Sequence, residues 1–432
     1  MKKVLIITYY WPPSGGSGVQ RWMYFTKYLS GFNYKPFVLT VSEKYASYKT
    51  LDKSFVEKVK DVEVYKTRTF EPLRLYSFLN TGSLTKGIPQ GTINKSKRGI
   101  LFKLSSFIRG NFFIPDARIG WNFFALKKAR KIIVMNGIDV VITTGPPHST
   151  HLIGLQLKKD YSIKWISDFR DPWTDIYYNK EFNRLKWSIK KDSILEKKVL
   201  ESADIVLTVG SKLKELLQNK ISTEFNKFHH IYNGYDSFLM KKTKKEIHSF
   251  FEITFIGLLT ENQPFLSFIE SFKFFLTKSP NPNIQICLAG DIHPEILKSF
   301  EELPVTVKYK GYVSHEDALR LMKRSELLLN ILAEMENSDI LISGKQMEYI
   351  ATGNPILCIG NTKGESAFLI KDIPNARIFE KDQINNISEF ISKVYSLWES
   401  NESFLNDVKN DFVLKKSRFE TSLQLSKLLN SI

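Results

Sequence analysis

Lys345 and Glu348 stand three residues apart in the run Ser343–Gly344–Lys345–Gln346–Met347–Glu348–Tyr349–Ile350–Ala351–Thr352–Gly353–Asn354–Pro355. Ser343 and Gly344 suit a helix entry. Gly353 and Pro355 suit its end, because Gly tolerates left-handed dihedrals and Pro cannot continue the helix. The spacing predicts a helix of about two and a half turns. Both charged groups then lie on one face of its first turns, where unpaired N–H groups favour an anion. A fixed cation there suits a phosphate, and a fixed carboxylate suits a sugar diol. The plainer alternative is a solvated ion pair of little energetic weight.

Two further clusters follow apolar runs. Thr143–Thr144–Gly145–Pro146–Pro147–His148–Ser149–Thr150–His151 puts two imidazoles at a loop-to-helix junction, and Asp168–Phe169–Arg170–Asp171–Pro172–Trp173 is dense in charge. Imidazoles and carboxylates so placed can polarise a hydroxyl or take its proton. Each has a structural alternative: solvated or capping histidines, Asp171 as a helix cap, Asp168 paired with Arg170 or Arg118. The loop Trp11–Pro12–Pro13–Ser14–Gly15–Gly16–Ser17–Gly18 lets a ligand approach the backbone closely. Its spacing is neither a dinucleotide fingerprint nor a Walker A loop. There is no Asp-x-Asp segment and no His/Cys cluster with metal-ligand spacing, so no metal site is expected.

The elements that must position these groups alternate short apolar runs with longer amphipathic ones, as in parallel α/β structure. Strands are expected at Lys3–Tyr9, Pro36–Thr40, Val62–Lys66, Asp139–Thr143, Ile163–Ser167, Asp204–Val209 and His229–Tyr232. A second, similar series falls at Glu252–Gly257, Ile284–Ala289, Thr306–Lys310, Glu326–Leu332, Pro355–Ile359 and Ala376–Phe379. The turn signal Asn233–Gly234–Tyr235–Asp236 and the polar stretch Lys241–Lys245 lie between the two series. The expected fold is α/β: two Rossmann-like domains, 1–238 and 239–402, facing each other across a cleft, with a C-terminal helix at about 403–432 returning to the first.

A chain of 432 residues with 43% apolar and 25% charged residues is globular and large enough for two cores. Its two cysteines, Cys287 and Cys358, sit in separate apolar runs and read as buried thiols, which points to the cytosol. The apolar run Val4–Ile7 is too short for a signal peptide, and no stretch approaches the roughly 20 apolar residues of a spanning helix. A net charge of +17 calls for an anionic partner. Nucleic acid is one candidate, but there is no RNP motif or zinc knuckle. An anionic membrane surface is the other. In 95–109, Ile100, Leu104, Phe107 and Ile108 share a helical face interleaved with Lys97, Arg98, Lys103 and Arg109. The alternative for that helix is core packing with a basic rim.

These stretches resemble the family-4 glycosyltransferases, retaining enzymes of the GT-B fold, and in particular a bacterial branch of them. The resemblance rests on the Pro-Pro-His loop, the Asp168–Trp173 segment, Glu196–Ser211, Tyr232–Asp236 and the Lys345–Pro355 helix, and so spans nearly the whole chain. It implies metal-free transfer of a sugar from a nucleoside-diphosphate sugar to a glycan or lipid-linked acceptor in surface polysaccharide synthesis. It also implies a cytoplasmic enzyme, peripheral on the inner face of the plasma membrane. The donor would be held by Gly15, Gly16, Gly18, Arg170, Gly257, Gly344, Lys345, Glu348 and Tyr349. Lys345 would meet the diphosphate and Glu348 the ribose or sugar hydroxyls. His148 or His151 would contact the transferred sugar, and Asp168 would orient the acceptor or take its proton. Two departures stand out. Ile340 occupies the position of the family's first glutamate, and Gly257–Leu258–Leu259–Thr260 lacks the arginine and lysine that usually follow this strand. Arg170, Lys212 or backbone N–H groups after Gly257 would have to substitute, or the chain is a non-catalytic binding or scaffold relative.

Overall fold

The computed structural model describes residues 1–48, 51–71, 100–222, 225–279, 282–402 and 411–432. The chain forms two compact units, Met1–Tyr232 with Thr421–Ile432, and Asn233–Glu420.

Among the described residues the first unit holds seven parallel strands: β1 Lys2–Ile7, β2 Tyr34–Val41, β3 Glu63–Thr67, β4 Val140–Gly145, β5 Lys164–Phe169, β6 Ile205–Thr208 and β7 Phe228–His230. Their order is β3-β2-β1-β4-β5-β6-β7. Helices on both faces leave the central strands no wet side, so Val4–Ile7 and Val140–Gly145 are buried at every position and read as unbroken apolar or small runs. The core joins Val4, Ile6, Trp22, Phe25, Val140, Ile142 and Ile166 to Leu425 and Leu429 near the C-terminus.

The second unit holds six parallel strands among the described residues: β8 Phe251–Leu259, β9 Ile284–Ile292, β10 Thr306–Tyr309, β11 Leu327–Ile331, β12 Ile356–Ile359 and β13 Ala376–Phe379. Their order is β10-β9-β8-β11-β12-β13. Phenylalanines at 251, 255, 268, 272 and 275 dominate its core.

All thirteen expected strands are present, and both sheets have the doubly wound order of a Rossmann-like domain. β8 and β9 run further than their sequence suggests, to Leu259 and Ile292. Gly257 and Gly290 face each other in register with φ of +132° and +116°, which lets pairing continue where a side chain would not fit. Lys241 and Lys242 are not in a linker. They close the helix Ser237–Lys242, where lysines complement the C-terminal dipole. Cys287 and Cys358 are free and buried. Of the basic segment 95–109, residues 95–99 lie outside the described residues, and the rest belongs to the helix Ile100–Phe112.

Candidate active site

In the first unit the strand order reverses between β1 and β4, the point at which doubly wound sheets bind ligands at their strand C-termini. Three sequence motifs meet there. Arg170, just after β5, donates from Nε to Gly145 O at 3.2 Å, from Nη1 to Gly18 O and from Nη2 to Pro146 O. It therefore ties the glycine loop after β1 to the Pro-Pro-His loop after β4. A Cβ on Gly18 would stand 3.2 Å from Arg170 Nη1, so the missing side chain admits the guanidinium. Every nitrogen of that group is spent on a carbonyl. Arg170 is a brace for the loops, not the spare cation that was expected to meet the donor. Gly16, at φ +92°, leads into the helix Ser17–Leu29 without a side-chain cap, and Gly15 precedes it in the same loop.

Asp168 is fully buried and has no free oxygen. Arg21 binds it from Nε at 3.1 and 3.3 Å and from Nη2 at 2.9 Å; Trp22 Nε1 donates at 2.6 Å and Thr144 Oγ1 at 2.8 Å. The expected partners, Arg170 and Arg118, are not the ones it uses. Arg118 pairs with Glu71 at 2.7 Å. A carboxylate holding four donors anchors the helix Ser17–Leu29 to the sheet and is poorly placed to take an acceptor proton.

The two histidines lie in an aromatic stack. His148 parallels Trp173 at 5.4 Å between centroids, and His151 lies 4.4 Å from Phe169. Neither faces open solvent, and burial pushes both imidazoles below their ordinary range, His151 to about 3. Both are neutral at physiological pH, so they can orient a hydroxyl but not carry a charge. Trp165 Nε1 donates to Thr143 Oγ1 at 2.9 Å, and Thr143 Oγ1 lies 2.9 Å from His151 Nδ1. If Thr143 donates its proton to Nδ1, the neutral imidazole carries its own proton on the other nitrogen. Nε2 has no hydrogen-bond partner among the described residues. Nε2 stands over Gly145, where a Cβ would come within 2.7 Å.

In the second unit the strand order reverses between β8 and β11, and the helix Gln346–Thr352 stands there. It is shorter than expected. Ser343 and exposed Gly344 form the approach, Lys345 occupies the position before the first turn, and Gly353 ends it at φ +76° as expected. Tyr349 is buried and works as a wedge. The β8–β11 ladder stops at Phe255 and Leu329; beyond it the phenol accepts from Ile256 N at 3.1 Å and donates to Leu329 O at 3.4 Å. Tyr349 thus holds the strand ends in place and offers nothing to a donor.

The wedge leaves room for Lys345. Its ammonium stands 3.6 Å above the centre of the Phe255 ring and 5.8 Å from that of Tyr349. A Cβ on Gly257 would lie 3.3 Å from Nζ. Burial pushes this amine down to about 7. Among the described residues no carboxylate pairs with it. Glu348 does not, although it lies on the same helix. Its Oε1 accepts from His315 Nε2 at 2.7 Å and from Arg418 Nη2 at 3.2 Å, with all three side chains almost wholly buried. Burial raises the Glu348 carboxyl, and its contacts with His315 and Arg418 outweigh that, leaving it below the usual range. The alternative reading of Lys345 and Glu348 as a surface ion pair therefore does not hold.

His315 and Arg418 have no motif of their own. His315 opens the helix His315–Arg324, whose Ser314 cap accepts from Asp317 N at 3.2 Å. Arg418 is delivered by Gly234. A Cβ there would meet Lys416 O at 2.7 Å; without one, Tyr235 pairs with Ser417, and Arg418 N donates to Tyr235 O at 2.8 Å. The Asn233–Asp236 turn, readable as a turn, thus seats the arginine that holds Glu348.

Residues 103–237 match the profile described as Glycosyltransferase Family 4. Solved structures align over the whole chain. A glycosyltransferase from Rickettsia africae ESF-5 aligns at 13% identity and TM-score 0.63, covering 100% of this chain and 98% of that one. This chain resembles the family-4 glycosyltransferases. A sucrose-phosphate synthase from Thermosynechococcus elongatus is similar at 13% identity and TM-score 0.66, covering 100% and 99%. Anabaena Alr3699/HepE, solved in complex with UDP and glucose, is similar at 11% identity and TM-score 0.57, covering 100% of both chains. At these identities the likeness is one of fold, and the fold is GT-B. No curated protein matches the chain by sequence.

Proposed function

We propose that the chain transfers a sugar, with retention, from a nucleoside-diphosphate sugar to a hydroxyl of a glycan or lipid-linked acceptor, in the cytoplasm, during surface polysaccharide synthesis. The observation that carries this reading is Lys345, an amine with no carboxylate partner among the described residues, at the strand-order reversal of the second unit. The leaving diphosphate gains negative charge as its bond to the sugar breaks, and a preorganised cation stabilises that charge. No metal is needed in this reading, so turnover should persist in EDTA. Glu348, oriented by His315 and Arg418, accepts hydrogen bonds from ribose or sugar hydroxyls. His148 or His151, both neutral, contacts a hydroxyl of the transferred sugar. The Anabaena structure, which holds UDP and glucose, supports a nucleotide-sugar as the donor.

The scaffold alternative drew its force from the missing arginine and lysine after Gly257. Lys345 Nζ standing over that glycine weakens it, because a cation reaches the same place from another element. Incubation with a panel of nucleotide-sugars, read by mass spectrometry for nucleoside diphosphate release, tests the reading. One donor should be consumed; if every donor is left intact both with and without glycan acceptors, the chain is not a transferase.

A further inference from the structure

The helix Lys186–Ser202 packs Val199 and Leu200 inward together with two of its acids, and leaves Trp187 and Ile194 outward. Asp192 accepts from Trp173 Nε1 at 2.6 Å and pairs with Arg184 at 2.8 Å. Glu196, one turn on, accepts from Thr174 Oγ1 at 2.5 Å and from Lys220 at 2.7 Å. Both carboxylates are buried. The opposite face exposes Trp187 at 47% and Ile194 at 44%, seven positions apart and so on one stripe. Lys190, Lys191, Lys197 and Lys198 flank that stripe, all exposed. With Lys186 the helix exposes five lysines against a single acid, Glu201. The apolar stripe continues onto the helix Ile100–Phe112. Phe112, 65% exposed, meets the Trp187 ring edge-on at 6.0 Å, and Leu104 and Ile108, at four-residue spacing before it, are exposed too.

Folding ordinarily hides Trp and Ile and displays Asp and Glu, and the reverse arrangement leaves apolar area in water that burial would stabilise. The covering surface must be apolar within and negative at its rim. A second copy of this face does not fit, because symmetric self-pairing would set lysines against lysines. An anionic bilayer does fit: Trp and Phe seat at the level of the acyl boundary while lysines reach up to the headgroup phosphates. We propose that this two-helix face docks on an anionic lipid bilayer. The proposal does not depend on the donor chemistry above, since vesicle binding is measured without donor or acceptor, and either can fail alone.

The full chain should sediment with phosphatidylcholine vesicles containing roughly a third phosphatidylglycerol, dissociate as salt rises, and bind pure phosphatidylcholine at least about tenfold more weakly. Trp187→Glu with Ile194→Glu, and separately Lys190→Glu with Lys191→Glu, should each weaken binding by at least about tenfold with melting unchanged. The lysine pair, being exposed charges, carries the test if the first variant fails to fold. The proposal is overturned if the chain does not bind anionic vesicles, if both variants bind as the wild type does, or if Trp187→Glu with Ile194→Glu abolishes a self-association while leaving vesicle binding intact.

Discussion

Glu348 Oε1 lies 2.7 Å from His315 Nε2, and this contact decides how the carboxylate can be probed. From the sequence, Glu348→Ala is the natural variant, expected to abolish transfer at little cost in stability. The contact overturns that expectation about stability. Alanine would leave His315 and Arg418 buried without their anion, at a cost on the order of 3 kcal/mol. Glu348→Gln keeps the shape and one acceptor oxygen. It should lower turnover by about a hundredfold or more at a smaller loss of stability than Glu348→Ala, measured by donor consumption and calorimetric scanning. Full turnover by a folded Glu348→Gln would remove Glu348 from the site.

The strands were legible because buried parallel strands must be apolar at nearly every position. The helix that carries Lys345 and Glu348 was legible because its start and stop signals, Ser343–Gly344 and Gly353–Pro355, are local in sequence. The surroundings of the two charged residues were not. His315 lies 33 positions before Glu348 and Arg418 lies 70 after it, and neither carries a local mark that pairing creates. Asp168 drew attention as a charged residue after a strand, yet its partner Arg21 is 147 positions away and reads as one more polar residue on an amphipathic helix. Tyr349 looked like a donor contact because it neighbours Glu348; that its hydroxyl spans two strand ends depends on a ladder ending that no pattern reports.

Asp168→Asn separates anchoring from catalysis. The substitution removes the charge from a buried pair with Arg21 and should cost about 3 kcal/mol or more in urea denaturation. The folded fraction should keep its turnover. Unchanged stability together with lost transfer would restore Asp168 to the role of proton acceptor.

Thr143→Val tests the arrangement in which Thr143 donates to His151. It leaves Trp165 Nε1 and His151 Nδ1 without their shared partner and should cost about 1–3 kcal/mol, with Thr143→Ser restoring most of it. In nitrogen-15 spectra of the wild type, His151 should be protonated on Nε2 and stay neutral down to about pH 4, given its depressed value of about 3. A proton on Nδ1 would refute the arrangement.

Lys345 links donor binding to pH. Its amine is lowered from 10.5 to about 7, so at about pH 8 it is mostly neutral in the folded chain and charged in the unfolded one. Between these two values the unfolded chain holds more protons, and this group therefore favours folding increasingly as pH rises. A bound diphosphate favours the charged form. Binding at about pH 8 should then take up close to one proton, seen as a dependence of calorimetric heat on buffer ionisation enthalpy. Lys345→Met should show no such uptake; equal uptake by both would place the titrating group elsewhere.

The most direct measurement is calorimetric titration of UDP, GDP, ADP and dTDP into the wild-type chain and into Lys345→Met at a pH where the amine is charged. One nucleoside diphosphate should bind the wild type, and the variant should bind it at least about tenfold more weakly, the loss of a charge-assisted contact to phosphate. Failure of all four to bind the wild type, or equal affinity in the variant, would contradict the assignment of Lys345 as the diphosphate site.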